Sequence, residues 1–216
     1  MIDLHSHSLW SDGELLPSEL AHRAEAKGIE VLAITDHIDS SNIELVVPRL
    51  AQVAEDLNKY LKKLKVIPGA ELTHIPPAMI PEMAERARRL GAKIIIVHGE
   101  TIAETVPTGT NKAGLQSNID ILAHPGLITE EEVSLAKERG ILLEISARAI
   151  HGLTNGHVAM FAQEMGAGLI LNTDSHSSNN FIDIPHARKV AKGCGCDFDQ
   201  LYANSKALAE RVIYGK

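Results

Sequence analysis

The chain has 216 residues and a formal net charge of −7, so it lacks the cationic footprint that holds long nucleic acid. A hydrophobic fraction of 44% with 23% charge reads as a soluble globular protein, and one domain over residues 1–216 is expected. No apolar run approaches the roughly 18 residues of a membrane span. Aromatic residues make up 3%, so aliphatic and alanine packing must carry the core.

The chain opens with MIDLHSHSLWSDG, in which Asp3, His5 and His7 alternate along a short extended run. Residues i and i+2 of a strand share a face, so His5 and His7 project together. Paired imidazoles suit zinc, iron and related ions. Four later segments repeat one grammar of helix, glycine, apolar run and polar residue: EAKGIEVLAITDH, RRLGAKIIIVHGE, KERGILLEIS and QEMGAGLILNTDSH. Gly28, Gly91, Gly140 and Gly166 fall where a helix C-terminus takes a left-handed residue. The apolar runs are continuous rather than alternating, as in parallel strands buried on both faces.

Helix starts fit the same scheme. Pro17 and Pro81 suit first turns, Thr129 with Glu132 forms a capping box, and Asp199 is expected to cap the last helix. Leu50, Val53, Leu57, Leu61 and Leu64 predict an amphipathic helix over residues 43–64. Seven strands are predicted, at 2–5, 31–35, 66–71, 94–98, 119–124, 141–145 and 169–173. Strand and helix alternate, which implies a parallel sheet, open or closed. Residues 99–118 form the least regular stretch, an expected active-site loop with a short helix at its end. Cys194 and Cys196 are too close in sequence for an unstrained mutual disulfide and are expected to be free thiols. No cationic leader precedes the first strand, and a reducing cytoplasm is the expected compartment.

Six predicted strands end in metal-capable side chains. The first runs into His5 and His7, the second into Asp36 and His37, and the third ends at Glu71. The fourth ends at His98, the fifth at His124, and the seventh at Asp174 and His176. The sixth ends in Glu144, Ser146 and Arg148. In a parallel barrel all C-terminal strand ends open on one rim, so these residues converge. The donors are histidine and carboxylate without cysteine, which suits catalytic zinc, manganese or iron.

As an ordered set, DLHSHS with SDG (3–8, 11–13), ITDH (34–37), PGAE (68–71), IVHGE (96–100), ILAHPG (121–126) and NTDSH (172–176) resembles the polymerase and histidinol phosphatase (PHP) family. The resemblance implies a distorted seven-stranded β/α barrel, TIM-barrel-like, with up to three divalent ions (Zn, Mn or Fe) at its C-terminal rim. Carried over by motif, one ion takes His5, His7, Glu71 and Asp174. A second takes Glu71, His98 and His124, and a third takes Asp12, His37 and His176. Some members have histidine where this chain has Asp12. Asp36 is expected to face away from the cluster and orient its neighbours. Histidinol-phosphatase-like members hold the substrate phosphate with basic residues. Arg148 is the first candidate, able to pair bidentately with phosphate oxygens, and Lys112 the second. His22, His74, His151, His157 and His186 lie off the strand ends and read as loop or helix-surface residues, His74 being close to Glu71.

The activity this implies is hydrolysis of a small, histidinol-phosphate-like phosphomonoester through a metal-bridged hydroxide, with Glu71, Asp174 and Arg148 as catalytic residues. Three alternatives stay open. One is a nuclease or nucleotide phosphatase acting on nucleotides or short oligonucleotides. Another is an amidohydrolase-type metal hydrolase, which also opens with His-x-His. That fold usually needs a carboxylated lysine at the C-terminal end of a strand, whereas Lys93 begins the fourth. The third is a non-catalytic barrel that binds a ligand. The expected partner is a small phosphorylated substrate rather than long nucleic acid or a membrane.

Overall fold

The computed structural model describes residues 1–215. Its strands are β1 (Ile2–Asp3), β2 (Val31–Ile34), β3 (His37–Ile38), β4 (Lys65–Leu72), β5 (Ile94–His98), β6 (Ile121–Ala123), β7 (Leu142–Ser146) and β8 (Leu169–Asn172). The helices are α1 (Pro17–Ala26), α2 (Ile43–Tyr60), α3 (Ile80–Leu90), α4 (Thr110–Leu115), α5 (Glu130–Arg139), α6 (Asn155–Met165), α7 (Ile184–Gly193) and α8 (Phe198–Tyr214). Seven strands pair in parallel in the order β1–β2–β4–β5–β6–β7–β8. They form a nearly closed α/β barrel of TIM-like build. β3 prolongs β2 after an interruption at Thr35 and Asp36 and pairs His37 with Glu71.

Alternate residues of each strand face the barrel interior and the surrounding helices. Ile67, Ile94, Ile96, Ile121, Ala123 and Ile170 fill the interior. Val66, Ile95, Val97, Leu122 and Leu171 pack outward against the helices. Burial on both faces is the physical cause of the continuous apolar runs. Each fully buried leucine or isoleucine contributes roughly 1.5–3 kcal/mol of burial free energy. Leu208 and Ala209 of α8 join the interior cluster.

Local signals operate where the side chains dictate them. Thr129 and Glu132 make the reciprocal capping box of α5, and Gly91 and Gly140 end α3 and α5 with φ of 112° and 66°. Several boundaries differ from expectation. α2 stops at Tyr60 because Leu61 turns extended, with ψ of 133°. β1 and β6 are shorter than predicted: β1 leaves the sheet at the rim to form the site, whereas β6 starts two residues later and ends one residue sooner. α8 is capped by Asp197, which accepts from the Asp199 backbone N–H. Cys194 and Cys196 are free thiols. Among the described residues no helix is long and apolar enough to cross a membrane.

The barrel closes weakly between its first and last strands. Ser6 and Ser175 make one isolated parallel bridge, and the His7 N–H donates to the Ser175 carbonyl at 2.8 Å. Side chains supply the rest of the seam. The Leu4 N–H donates to Asn172 Oδ1 at 3.0 Å, and Thr173 donates to Asp3 through its N–H and hydroxyl.

Candidate metal centre

Strand parity delivers several site residues. In β4 the inward series runs Ile67, Gly69, Glu71; in β5 it runs Ile94, Ile96, His98; in β7 it reaches Glu144. Beyond β6 and β8 the backbone itself bends, since His124 and Asp174 adopt φ of 28° and 49°. Non-glycine residues are uncommon in that region, and such strain concentrates at functional positions. Gly99 and Gly126 allow the rim loops to interlock. A Cβ on Gly99 would lie 2.3 Å from the Ala123 carbonyl oxygen, and one on Gly126 would lie 1.9 Å from that of Glu100.

Glu71 is fully buried and within reach of four imidazoles. Its Oε1 lies 3.3 Å from His5 Nε2 and 3.9 Å from His124 Nε2. Its Oε2 lies 3.6 Å from His7 Nε2 and 2.6 Å from His37 Nδ1. Asp174 Oδ1 lies 3.1 Å from His7 Nε2 and 3.6 Å from His5 Nε2. Asp12 reaches His37 Nε2 at 3.4 Å and His176 Nε2 at 3.1 Å. The His98 and His124 rings meet edge to face, with centroids 4.5 Å apart. The nine residues expected as ligands therefore meet in one place, from positions as distant as His5 and His176.

Their chemistry fits divalent cations. Among the described residues, His5 Nε2, both ring nitrogens of His7, Glu71 Oε1, His98 Nδ1, His124 Nδ1 and Glu144 Oε1 are buried without a hydrogen-bond partner. Each such atom costs about 1–3 kcal/mol unless something else satisfies it. Donors about 2.1 Å from a tetrahedral ion lie about 3.4 Å from one another. The His7–Asp174, His5–Glu71 and His37–Asp12 separations of 3.1, 3.3 and 3.4 Å are close to that spacing. Burial, helped by the charge of His37, holds the His7 imidazole well below its ordinary pKa. Burial does the same for His124. Both rings thus stay neutral and keep a lone pair for a cation. Burial pushes the Asp174 carboxyl up to about 7 against the pull of His5.

Further residues hold the donors in place. The His5 Nδ1–H donates to Glu144 Oε2 at 2.8 Å, and the same oxygen accepts from Asn172 Nδ2 at 3.0 Å. A carboxylate behind a histidine fixes the tautomer and leaves Nε2 for a metal. Glu144 was visible in sequence only as a strand-end residue; its inward parity is the signal for this role. Asp36 faces away from the cluster. It accepts from the Ser8 N–H and hydroxyl at 2.8 and 2.7 Å and from the Ser11 hydroxyl at 2.6 Å. It thereby shapes the loop that carries Asp12.

A cavity of about 180 Å³ opens onto the cluster, lined by Asp12, His37, Glu104, Arg148, Asp174 and His176 among others. Arg148 donates to the Asp174 carbonyl at 3.1 Å, and the same carbonyl accepts from the His176 Nδ1–H at 2.9 Å. Two expectations need correction. Lys112 is exposed on α4, paired with Glu131 at 3.0 Å, and does not line this cavity. His151 is not a surface residue. A short 3-10 turn after β7 (His151–Thr154) folds it over the rim, where it is buried and stacked on His124 with ring centroids 4.0 Å apart. His74 stands half-exposed at the cavity wall, 3.4 Å from Glu104. His22 and His186 are exposed on helices, and His157 hydrogen-bonds the Ile128 carbonyl. Lys93 precedes β5 at the opposite end of the barrel, beside Arg88 and Asp120. Among the described residues lining the rim cavity there is no lysine, as a carboxylated-lysine centre would need.

Fold and site define a TIM-like barrel with a histidine and carboxylate centre at its C-terminal rim. The sequence profile of the PHP domain matches residues 3–165, and the chain belongs to the PHP-domain family. It is 46% identical over 194 residues to the uncharacterized protein MJ1295 of Methanocaldococcus jannaschii, covering 89% of each chain. It is 28% identical to the DNA polymerase/3'-5' exonuclease PolX of Bacillus subtilis over 81% of this chain, which is 34% of that protein. A chain in a structure of archaeal ribonuclease P with mature tRNA superposes with a TM-score of 0.75 at 14% identity, covering 99% of this chain and 92% of that one. Histidinol phosphate phosphatase from Lactococcus lactis, complexed with zinc, L-histidinol and phosphate, superposes with a TM-score of 0.62 at 20% identity, covering 91% and 94%.

Proposed function

We propose that this protein is a metal-dependent phosphoesterase that hydrolyses a small phosphomonoester. The observation that carries the reading is the convergence of nine histidine and carboxylate donors beneath a small cavity with a guanidinium at its wall. His5, His7, Glu71 and Asp174 would hold one ion, Glu71, His98 and His124 a second, and Asp12, His37 and His176 a third. Bound zinc, manganese or iron would supply Lewis acidity and an activated water. Arg148 would take two phosphoryl oxygens of the ester in its planar fork and hold the phosphorus over the donors. Glu71 and Asp174 would hold the ions at the reacting end of the site, with the leaving group directed to the cavity mouth.

The cavity sets the scale of the substrate. At about 180 Å³ it has room for about six water volumes, enough for a phosphate and a short alkyl or imidazole-sized group. Among the described residues that line it, Arg148 is the sole lysine or arginine. A polymer backbone is gripped by rows of such residues. The zinc, histidinol and phosphate of the Lactococcus neighbour make histidinol phosphate the first compound to test, followed by sugar phosphates and nucleotides.

Metal-loaded protein should turn over one of these monoesters faster than it cleaves single-stranded DNA or RNA at the same enzyme concentration, with a shallow salt dependence. Strong oligonucleotide degradation with a steep salt slope, and negligible monoesterase activity, would favour the nuclease reading that the PolX similarity suggests. Arg148→Ala should raise KM and lower kcat. A charge-assisted hydrogen bond contributes about 1.5–3 kcal/mol, so kcat/KM should fall about 10- to 150-fold. Arg148→Lys should recover only part of the loss, since it restores charge without the fork. Steady-state kinetics on both variants decide this, and an unchanged kcat/KM in Arg148→Ala would remove Arg148 from the site.

A further inference from the structure

We propose that a hollow at the floor of the barrel, opposite the metal centre, binds a condensed phosphate, meaning a diphosphate or triphosphate chain, free or carried by a nucleotide. The inference goes beyond the rim reaction and does not rest on it. The hollow has a volume of about 360 Å³, twice that of the rim cavity. Arg88, Lys93, Arg139 and Arg211 line it, with Asp120 as its one acid among the described residues. Four cations and one carboxylate leave it positive by three charges, on a chain whose net charge is −7.

The cations come from four separate parts of the chain. Arg88, Arg139 and Arg211 stand in the last turns of α3, α5 and α8, and Lys93 directly precedes β5. A cation in a last turn suits the helix dipole, which explains why arginines sit on those helices. It does not explain why three of them and Lys93 turn into one hollow around an acid too few to neutralise them. Asp120 is 6% exposed and fully engaged. Its Oδ2 accepts from Arg88 at 2.6 Å and from the Ile95 N–H at 2.8 Å, and its Oδ1 accepts from Arg211 at 2.8 Å. Arg88 also donates to the Lys93 carbonyl at 2.7 Å. Arg139 donates to the Ser117 carbonyl at 3.3 Å, and neither it nor Lys93 forms an ion pair among the described residues. Glu85, which accepts from Asn118 at 2.9 Å, does not line the hollow. Lys93 and Arg139 therefore have donors to spare, beside two arginines that Asp120 holds in place. Even with about half a negative charge from each helix end that faces it, the hollow stays positive.

Size and lining select among anions. The volume corresponds to about twelve waters, room for linked phosphoryl groups rather than one alone. Guanidinium forks match phosphoryl oxygens. No aromatic side chain lines the hollow among the described residues, so it offers no platform for stacking a base, and the phosphate chain is the part recognised. A compact hollow is also unlike the row of cations that follows a polymer backbone.

The test uses the full chain with its metal ions and reads the floor of the barrel directly. Tripolyphosphate should protect Lys93 from acetylation by an amine-reactive ester, followed by peptide mass spectrometry. Lys62 and Lys63, exposed before β4, should acetylate as before. Half-protection should need at least tenfold less tripolyphosphate than inorganic phosphate, and more of either as salt is raised. Arg139 is exposed, so its replacement does not threaten folding. Arg139→Gln should raise the half-protecting concentration about tenfold or more, the size of one charge-assisted hydrogen bond, and Arg139→Glu should abolish protection. Arg148→Ala, which removes the guanidinium of the rim, should leave protection as it is. Protection by ATP as well as tripolyphosphate would assign the site to a chain carried by a nucleotide, and protection by tripolyphosphate alone to the free chain. Lys93 acetylated at an unchanged rate in saturating tripolyphosphate would overturn the inference and leave the phosphoesterase reading intact. Protection undiminished in Arg139→Glu, or no stronger with tripolyphosphate than with sulfate, would overturn it equally.

Discussion

Glu71→Gln should lower kcat/KM by at least about 1,000-fold, which corresponds to about 4 kcal/mol of lost transition-state stabilisation. It should also release more than one equivalent of metal. The substitution preserves shape, so the effect isolates charge. Glu71 is fully buried, and its two oxygens face His5 and His124 on one side and His7 and His37 on the other. Asp174 also lies among four imidazoles, those of His5, His7, His151 and His176. Asp12 is more exposed and pairs with His37 and His176 alone. Removing one partner from a buried charged group costs about 3–5 kcal/mol, and on the proposed assignment one charge would be shared between two ion positions. His124→Gln, which removes a terminal donor, should be milder in both readouts. Elemental analysis and steady-state kinetics on the two variants test the difference. Equal, mild effects would show that Glu71 does not bridge.

Stripping the metal should lower the melting temperature by about 10 °C or more for each tightly held ion, and re-addition of Zn2+ or Mn2+ should restore it. An ion at 1,000 times its Kd stabilises the native state by about 4 kcal/mol. For a chain of this size 1 kcal/mol corresponds to about 2–4 °C. The buried atoms without hydrogen-bond partners at His5, His7, Glu71, His98 and His124 are the physical reason the effect should be large. Differential scanning fluorimetry with and without chelator measures it, alongside elemental analysis to confirm removal. A melting temperature unmoved by complete removal of the ions would mean that the donors are satisfied some other way.

Much of the barrel was legible because burial on both faces imposes a simple rule. Continuous apolar runs closed by a polar residue located all seven barrel strands, and the strand at 94–98 matches β5 at both ends. β3 was not legible, since two residues carry no periodicity and its pairing depends on β4 being beside it. The donors at the strand ends were legible for the same reason, as parity and position sufficed to bring Glu71 and His98 to one rim. What sequence order could not convey is the path of the loops. His151 looked peripheral until the turn after β7 carried it over His124. Lys112 read as a second phosphate contact until α4 turned it toward Glu131. Glu104 stands in a stretch without regular structure, and its reach to His98 and His151 is a property of the folded loop alone.

The seam between β1 and β8 gives the ions a mechanical meaning. One backbone bridge joins Ser6 to Ser175, where a neighbouring pair such as β7 and β8 aligns four residues. On one side of that gap stand His5 and His7, on the other Asp174 and His176. Any ion held by both sides ties together two stretches of chain separated by about 170 residues. A covalent tie around a loop that long would restrict the unfolded chain by about 5 kcal/mol. Such ions would be a removable clasp on the barrel, fastened when metal is present and loosened when it is scarce. Opening at the seam frees both edge strands at once, so the lifetime of the protein against proteases would follow the supply of metal as closely as its catalytic rate does.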